Sequence, residues 1–149
     1  MMQFSHLLIV CTGNVCRSPV AEALLRARLP QLSIESAGLG ALVGQGVEPL
    51  ARALAEGDGL DVSRHQARQV TQEMIQQADL VLVMSEGQRL AMAKLAPAAI
   101  GKTLLFGRWL DDGGKGEEIP DPYYKSREAF GHVHRQLVRA ADAWQSRLG

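Results

Sequence analysis

Apolar residues fall along this chain in two rhythms. Short, nearly unbroken runs, "HLLIVC" at 6–11, "DLVLVM" at 79–84 and "KTLLF" at 102–106, have the length and branching of buried strands. "LSIESAG" at 32–38 makes a further strand, closed by Gly38. Between them the spacing changes to that of helices. "SPVAEALLRARLP" at 18–30 starts with Ser18 as a possible cap and Pro19 at a first helical position, and ends at Pro30. "PLARALAEG" at 49–57 and "TQEMIQQA" at 71–78 are short helices. Ser85 and Gln88 form a capping-box pattern leading into "EGQRLAMAKLAP". The last helix runs from about Ser126, with Phe130, Val133, Leu137, Trp144 and Leu148 on one face. Four glycines between 38 and 46 predict a mobile loop, and 107–124 is a long connection of the kind that often carries function.

Strands alternating with helices imply parallel pairing through right-handed crossovers. The expected architecture is α/β: one three-layer α/β/α domain over residues 1–149, with a central four-stranded parallel sheet and helices on both faces. Ligands in such sheets bind beyond the carboxyl ends of the strands. The stretch at 11–18 and the loop at 106–122 should therefore face each other.

Composition removes several classes of function. The chain has 149 residues, of which 46% are hydrophobic and 21% charged, ordinary for a globular enzyme. Sixteen basic residues balance sixteen acidic ones, so a nucleic-acid partner is not expected. No apolar run approaches the roughly 20 residues of a membrane span, so no membrane insertion is expected. "MMQFSHLLIVC" lacks the basic start of a secretory signal, which points to the cytoplasm. Cys11 and Cys16 are the only cysteines, too few for a disulfide scaffold.

Candidate chemistry concentrates in "CTGNVCRSP" at 11–19, a strand end, a loop and a helix start. Backbone N–H groups at a helix N-terminus carry partial positive charge, and a loop feeding it can curl around an anion. Thr12, Gly13, Asn14, Val15, Cys16, Arg17 and Ser18 would line that cup. Gly13 lets the backbone come close, Asn14 tolerates a left-handed turn, and Arg17 adds a planar fork for two phosphate oxygens. Cys11, at the base, would be a nucleophile with its thiolate stabilised by the same fields. Zinc does not fit, because the cysteines lack the usual spacing and partners, and His132 and His134 diverge on a helix. No Walker lysine follows the glycines. An inert buried Cys11 is the competing reading, but it leaves the glycine, asparagine, arginine, serine and proline unexplained. Asp121, between Pro120 and Pro122 in a loop expected to overhang the cup, is the candidate general acid. Asp111 and Asp112, beside glycines, read as a solvated turn.

These residues resemble a known family. "CTGNVCRSP" is similar to the C-x-G-N-x-C-R-S-P phosphate loop of the low-molecular-weight protein tyrosine phosphatases, and "DPYY" at 121–124 to their acid loop. "ESAG" at 35–38 and "HQARQVT" at 65–71 resemble further family segments, and "SAGLGALVGQG" resembles the bacterial branch linked to exopolysaccharide export. The resemblance implies a cytoplasmic phosphotyrosine hydrolase with no cofactor and no metal. It implies that Cys11 forms a phosphocysteine, Arg17 grips the equatorial oxygens, Asp121 protonates the leaving phenolate and Ser18 supports the Cys11 sulfur. It implies that Ser36 and His65 buttress Asn14, that Cys16 can form a reversible disulfide with Cys11, and that Tyr123 flanks the mouth. Animal members carry an aromatic residue in the 38–46 loop; here Leu42 is the expected apolar wall. The implied partner is a phosphotyrosine protein, the tyrosine-rich tail of a membrane-anchored bacterial tyrosine kinase, and the implied state a monomer or weak dimer. Two rivals are a thiol-dependent arsenate reductase, whose relay needs cysteines that 17–149 lack, and a non-catalytic phosphotyrosine-binding redox sensor.

Overall fold

The computed structural model describes residues 4–111 and 115–149 of the chain. Four strands, β1 (His6–Cys11), β2 (Ser33–Gly38), β3 (Leu80–Val83) and β4 (Thr103–Leu105), form one parallel sheet in the order β2-β1-β3-β4. Leu7 pairs with Ile34 on one side and Leu80 on the other, so β1 lies inside the sheet and its carboxyl end opens at the middle of the strand edge. Among the described residues, five α-helices flank the sheet: α1 (Arg17–Arg28), α2 (Pro49–Gly57), α3 (Gln72–Gln77), α4 (Glu86–Leu95) and α5 (Arg127–Leu148). A 3-10 turn, Pro97–Lys102, leads into β4.

Alternate residues of the buried strands feed two cores, as a parallel sheet covered on both faces requires. Leu7, Ile9, Leu80 and Leu82 pack under α1, α2 and α5, with Leu24, Leu25, Leu137 and Trp144. Leu8, Val10, Val81 and Val83 pack on the other face with Ile75 of α3 and Met92 of α4. Trp144 Nε1 donates to the buried carbonyl of Phe106 at 2.7 Å, tying α5 to the end of β4.

Three local expectations change. Ser18 does not cap α1. The helix begins two residues earlier, with Cys16 at its cap and no side-chain cap bond, because the Ser18 hydroxyl is engaged beneath the loop. Pro19 therefore stands third in the helix. The glycine-rich loop is tied down rather than loose: Leu39, Gly40 and Leu42 donate to the carbonyls of Cys11, Thr12 and Gly13, and Gly44 to Ala67. At Ser85 the box is half-formed. Its hydroxyl accepts from Gln88 N, but Gln88 Oε1 reaches back to Met84 N, which would be orphaned at the end of β3. Asp111 is exposed, whereas Asp112, the other half of the expected turn, lies outside the described residues.

Candidate active site

β1 ends at Cys11, and the next five residues curl back before α1 starts at Arg17. The turn depends on Asn14, which has φ 59° and is fully buried. That left-handed conformation is held from four sides. Asn14 Nδ2 donates to Ser18 Oγ at 2.8 Å and Ser36 Oγ at 3.0 Å. Its Oδ1 accepts from Arg68 N at 3.0 Å, and its carbonyl lies 2.7 Å from His65 Nε2. Because a carbonyl only accepts, His65 carries its proton on Nε2. Ser36 and His65 thus both contact Asn14.

Arg68 was not a sequence-level candidate. It holds Asn14 through its backbone, while its side chain donates to Ser36 O and pairs with Glu35. A backbone donor leaves no mark in residue type. Gly38 is a second residue of this kind: a Cβ there would lie 2.6 Å from the Thr12 carbonyl and 3.1 Å from Ala41. Gly13, by contrast, meets no backbone obstacle; a Cβ would touch Val15 and Leu42 at 3.5 and 3.7 Å. Its missing side chain leaves space in the cup rather than permitting the turn.

The cup has a volume of about 160 Å³ and is lined by Cys11, Thr12, Gly13, Val15, Cys16 and Arg17, with Leu42, Asp121 and Tyr123 toward its mouth. The side chains of Asn14 and Ser18 lie behind it. Ser18 Oγ stands 2.9 Å from Cys11 Sγ and could donate to the sulfur. Arg17 is 4% exposed. Its Nη1 donates to Ile119 O at 2.8 Å and its Nη2 lies 3.7 Å from Asp121 Oδ2. Its Nε is buried with no partner. A buried guanidinium with an unfilled donor beside an open cup is prepared for an anion, since unsatisfied buried donors cost free energy. Asp121 Oδ1 accepts from Tyr123 N at 3.0 Å, so the turn at 121–123 is braced by the Asp121 carboxylate.

The two thiols are both free and buried. Burial first, then the charges of Asp121, Cys11 and Glu48, push the Cys16 thiol up to about 12, against the opposing pull of Arg17. At neutral pH, Cys16 keeps its proton. Among the described residues no group of three or more His, Cys, Asp or Glu side chains is placed to hold a metal. No helix among them is long and apolar enough to cross a membrane.

Comparison with known proteins gives a consistent result. The family model described as "Low molecular weight phosphotyrosine protein phosphatase" matches residues 6–149. The low molecular weight protein-tyrosine-phosphatase Etp of Escherichia coli K12 is 43% identical over 99% of this chain and 97% of its own. The corresponding protein Wzb of Salmonella typhimurium is 45% identical over 97% of this chain and 95% of its own. The crystal structure of the tyrosine phosphatase Wzb from Escherichia coli K30 in complex with sulphate superposes with a TM-score of 0.93 at 44% identity, covering 99% of this chain and 100% of that one.

Proposed function

The chain belongs to the low molecular weight phosphotyrosine protein phosphatase family, and from that premise we propose that it hydrolyses phosphotyrosine in proteins through a phosphocysteine. The observation that carries the proposal is the buried Arg17, with its unfilled Nε, beside Cys11 in a cup overhung by Asp121. In this reading the phosphate seats on the backbone N–H groups of 12–17, and the Arg17 fork takes two of its equatorial oxygens. The Cys11 thiolate attacks phosphorus while the bond to the tyrosine oxygen breaks, and Asp121 delivers its proton to the departing phenolate. Ser18 stabilises the sulfur as a leaving group. Water then attacks the phosphocysteine, Asp121 takes the water's proton, the S–P bond breaks, and inorganic phosphate leaves. Leu42 and Tyr123 bracket the ring. Leu42 offers an apolar wall without aromatic stacking, which supports broad acceptance of tyrosine phosphates in flexible segments.

Likeness to Wzb and Etp supports a place in bacterial exopolysaccharide production, acting on the tyrosine-rich cytoplasmic tail of a membrane-anchored tyrosine kinase. The deciding experiment pairs p-nitrophenyl phosphate with such a phosphorylated tail. Wild type should release phosphate from both and leave phosphoserine peptides largely intact, whereas Cys11→Ser should bind phosphotyrosine and turn over nothing. Equal attack on phosphoserine overturns the substrate class, and an active Cys11→Ser overturns the phosphocysteine. Asp121→Asn should lose more activity on phosphotyrosine, a poor leaving group, than on the activated nitrophenyl ester, by a ratio of about tenfold or more. Equal losses would remove Asp121 as the acid.

A further inference from the structure

Thr12, Arg17 and Asp121 line a second hollow besides the cup. It is a groove of about 660 Å³ that runs between Leu39 and the first turn of α4, with the 118–121 segment along its edge. A phosphate and a phenyl ring fill the cup and leave this larger groove unused.

The groove has a constructed floor. Gln88 is buried; its Oε1 accepts from Met84 N at 2.8 Å and its Nε2 donates to Thr12 Oγ1 at 3.2 Å. That amide locks α4 to the first residue of the phosphate loop. Leu39, Ala91 and Pro120 provide apolar surface. Glu118 is exposed at the rim, and its Oε2 is held by Glu86 N at 2.8 Å. Of the two carboxylates here, Asp121 has the Arg17 guanidinium at 3.7 Å, whereas Glu118 pairs with no cation among the described residues. The groove therefore presents apolar surface for an aliphatic stem and a carboxylate for a cationic head, the two needs of a lysine or arginine side chain. Glu118 and Asp121 are three positions apart, which an extended chain spans in at most about 10 Å. That is the reach of about three substrate residues from the phosphotyrosine.

We propose that this groove is the subsite for the substrate chain on one side of the phosphotyrosine, and that Glu118 selects a lysine or arginine within three residues of it. The inference rests on the phosphatase reading above. It names a recognition rule for the polypeptide that the cup alone does not provide.

The test compares matched phosphotyrosine peptides carrying lysine or glutamate at each of the three positions on either side, with p-nitrophenyl phosphate as the small reference substrate. At low salt the wild type should show kcat/KM about five- to tenfold higher for lysine than for glutamate on one side only, and the ratio should shrink as salt is raised. Glu118→Gln keeps an oxygen for Glu86 N and removes the charge; its lysine-to-glutamate ratio should fall below about twofold. Ala91→Phe, which fills the groove, should lower the ratio of peptide to p-nitrophenyl phosphate turnover at least threefold in the same preparation. A wild type indifferent to lysine and glutamate on both sides overturns the proposal. So does a preference that Glu118→Gln leaves unchanged. A wild type that hydrolyses neither p-nitrophenyl phosphate nor any peptide instead overturns the phosphatase reading itself, and the subsite with it.

Discussion

Cys16 holds its proton far above neutrality while lining the same cup as Cys11. Its thiol ionises near 9.0 when unshielded and near 12 in the fold, so between those values the unfolded chain sheds a proton that the folded chain retains. Stability from this source is complete below pH 9 and is lost as pH rises toward 12. Urea unfolding at pH 8 and pH 10.5 should therefore show a smaller alkaline loss in Cys16→Ala than in wild type. The same proton governs redox behaviour. If Cys16 resolves an oxidised Cys11, it must do so as a thiolate, and at pH 7 very little is present. Disulfide formation after a peroxide pulse should accelerate roughly tenfold per pH unit between 7 and 9; a rate independent of pH would exclude Cys16 as the resolving thiol. Asn14 makes a different kind of prediction. Alanine there gives up three side-chain hydrogen bonds and must adopt a left-handed backbone. At about 1 kcal/mol per bond and about 1–2 for the backbone, Asn14→Ala should cost roughly 4–5 kcal/mol by chemical denaturation, with activity falling as the loop relaxes.

Among the elements, the segment after β2 is the most instructive. Its glycines suggest mobility, yet its backbone is laced to the turn that follows β1, with donors at Leu39, Gly40 and Leu42 meeting acceptors at Cys11, Thr12 and Gly13. Sequence pattern reports which residues can bend; it carries no record of which carbonyls lie across the gap. Gly38→Ala tests the lacing, because the new methyl would press on the Thr12 carbonyl at 2.6 Å. A cost of about 1–3 kcal/mol is expected from such overpacking, with a fall in kcat larger than any change in KM. The strands and helices themselves were legible, since their burial follows simple periods of two and 3.6. So was the turn between β1 and α1, which the left-handed tolerance of Asn14 marks. Arg68, Gly38 and Gln88 were not. Each acts through a backbone group, a missing atom or a partner distant in sequence, and none of these has a local signature. Ser18 shows the converse: its position before a proline looks like a cap, but a buried sulfur and a buried amide compete for its hydroxyl and win.

At the scale of the whole molecule, α5 joins both halves. Arg28 of α1 pairs with Asp142, and Trp144 holds the Phe106 carbonyl beyond β4. Trp144→Phe leaves that fully buried carbonyl without its donor, at about 1–3 kcal/mol, so Tm should fall by roughly 3–10 °C for a chain of this size. Differential scanning calorimetry reads this directly, and an unchanged Tm would show that water or a shifted backbone replaces the indole. The Arg17–Ile119 hydrogen bond spans 102 residues of chain. That separation sets an order of events during synthesis. Cys11 and Arg17 leave the ribosome early, but the carbonyl that aims the guanidinium and the carboxylate proposed as the acid follow only near the end. A chain stalled at residue 110 therefore bears the proposed nucleophile without the carbonyl that aims Arg17 and without the proposed acid, and should release no phosphate from p-nitrophenyl phosphate. The growing polypeptide should therefore gain activity only after Ile119 and Asp121 have emerged to meet Arg17.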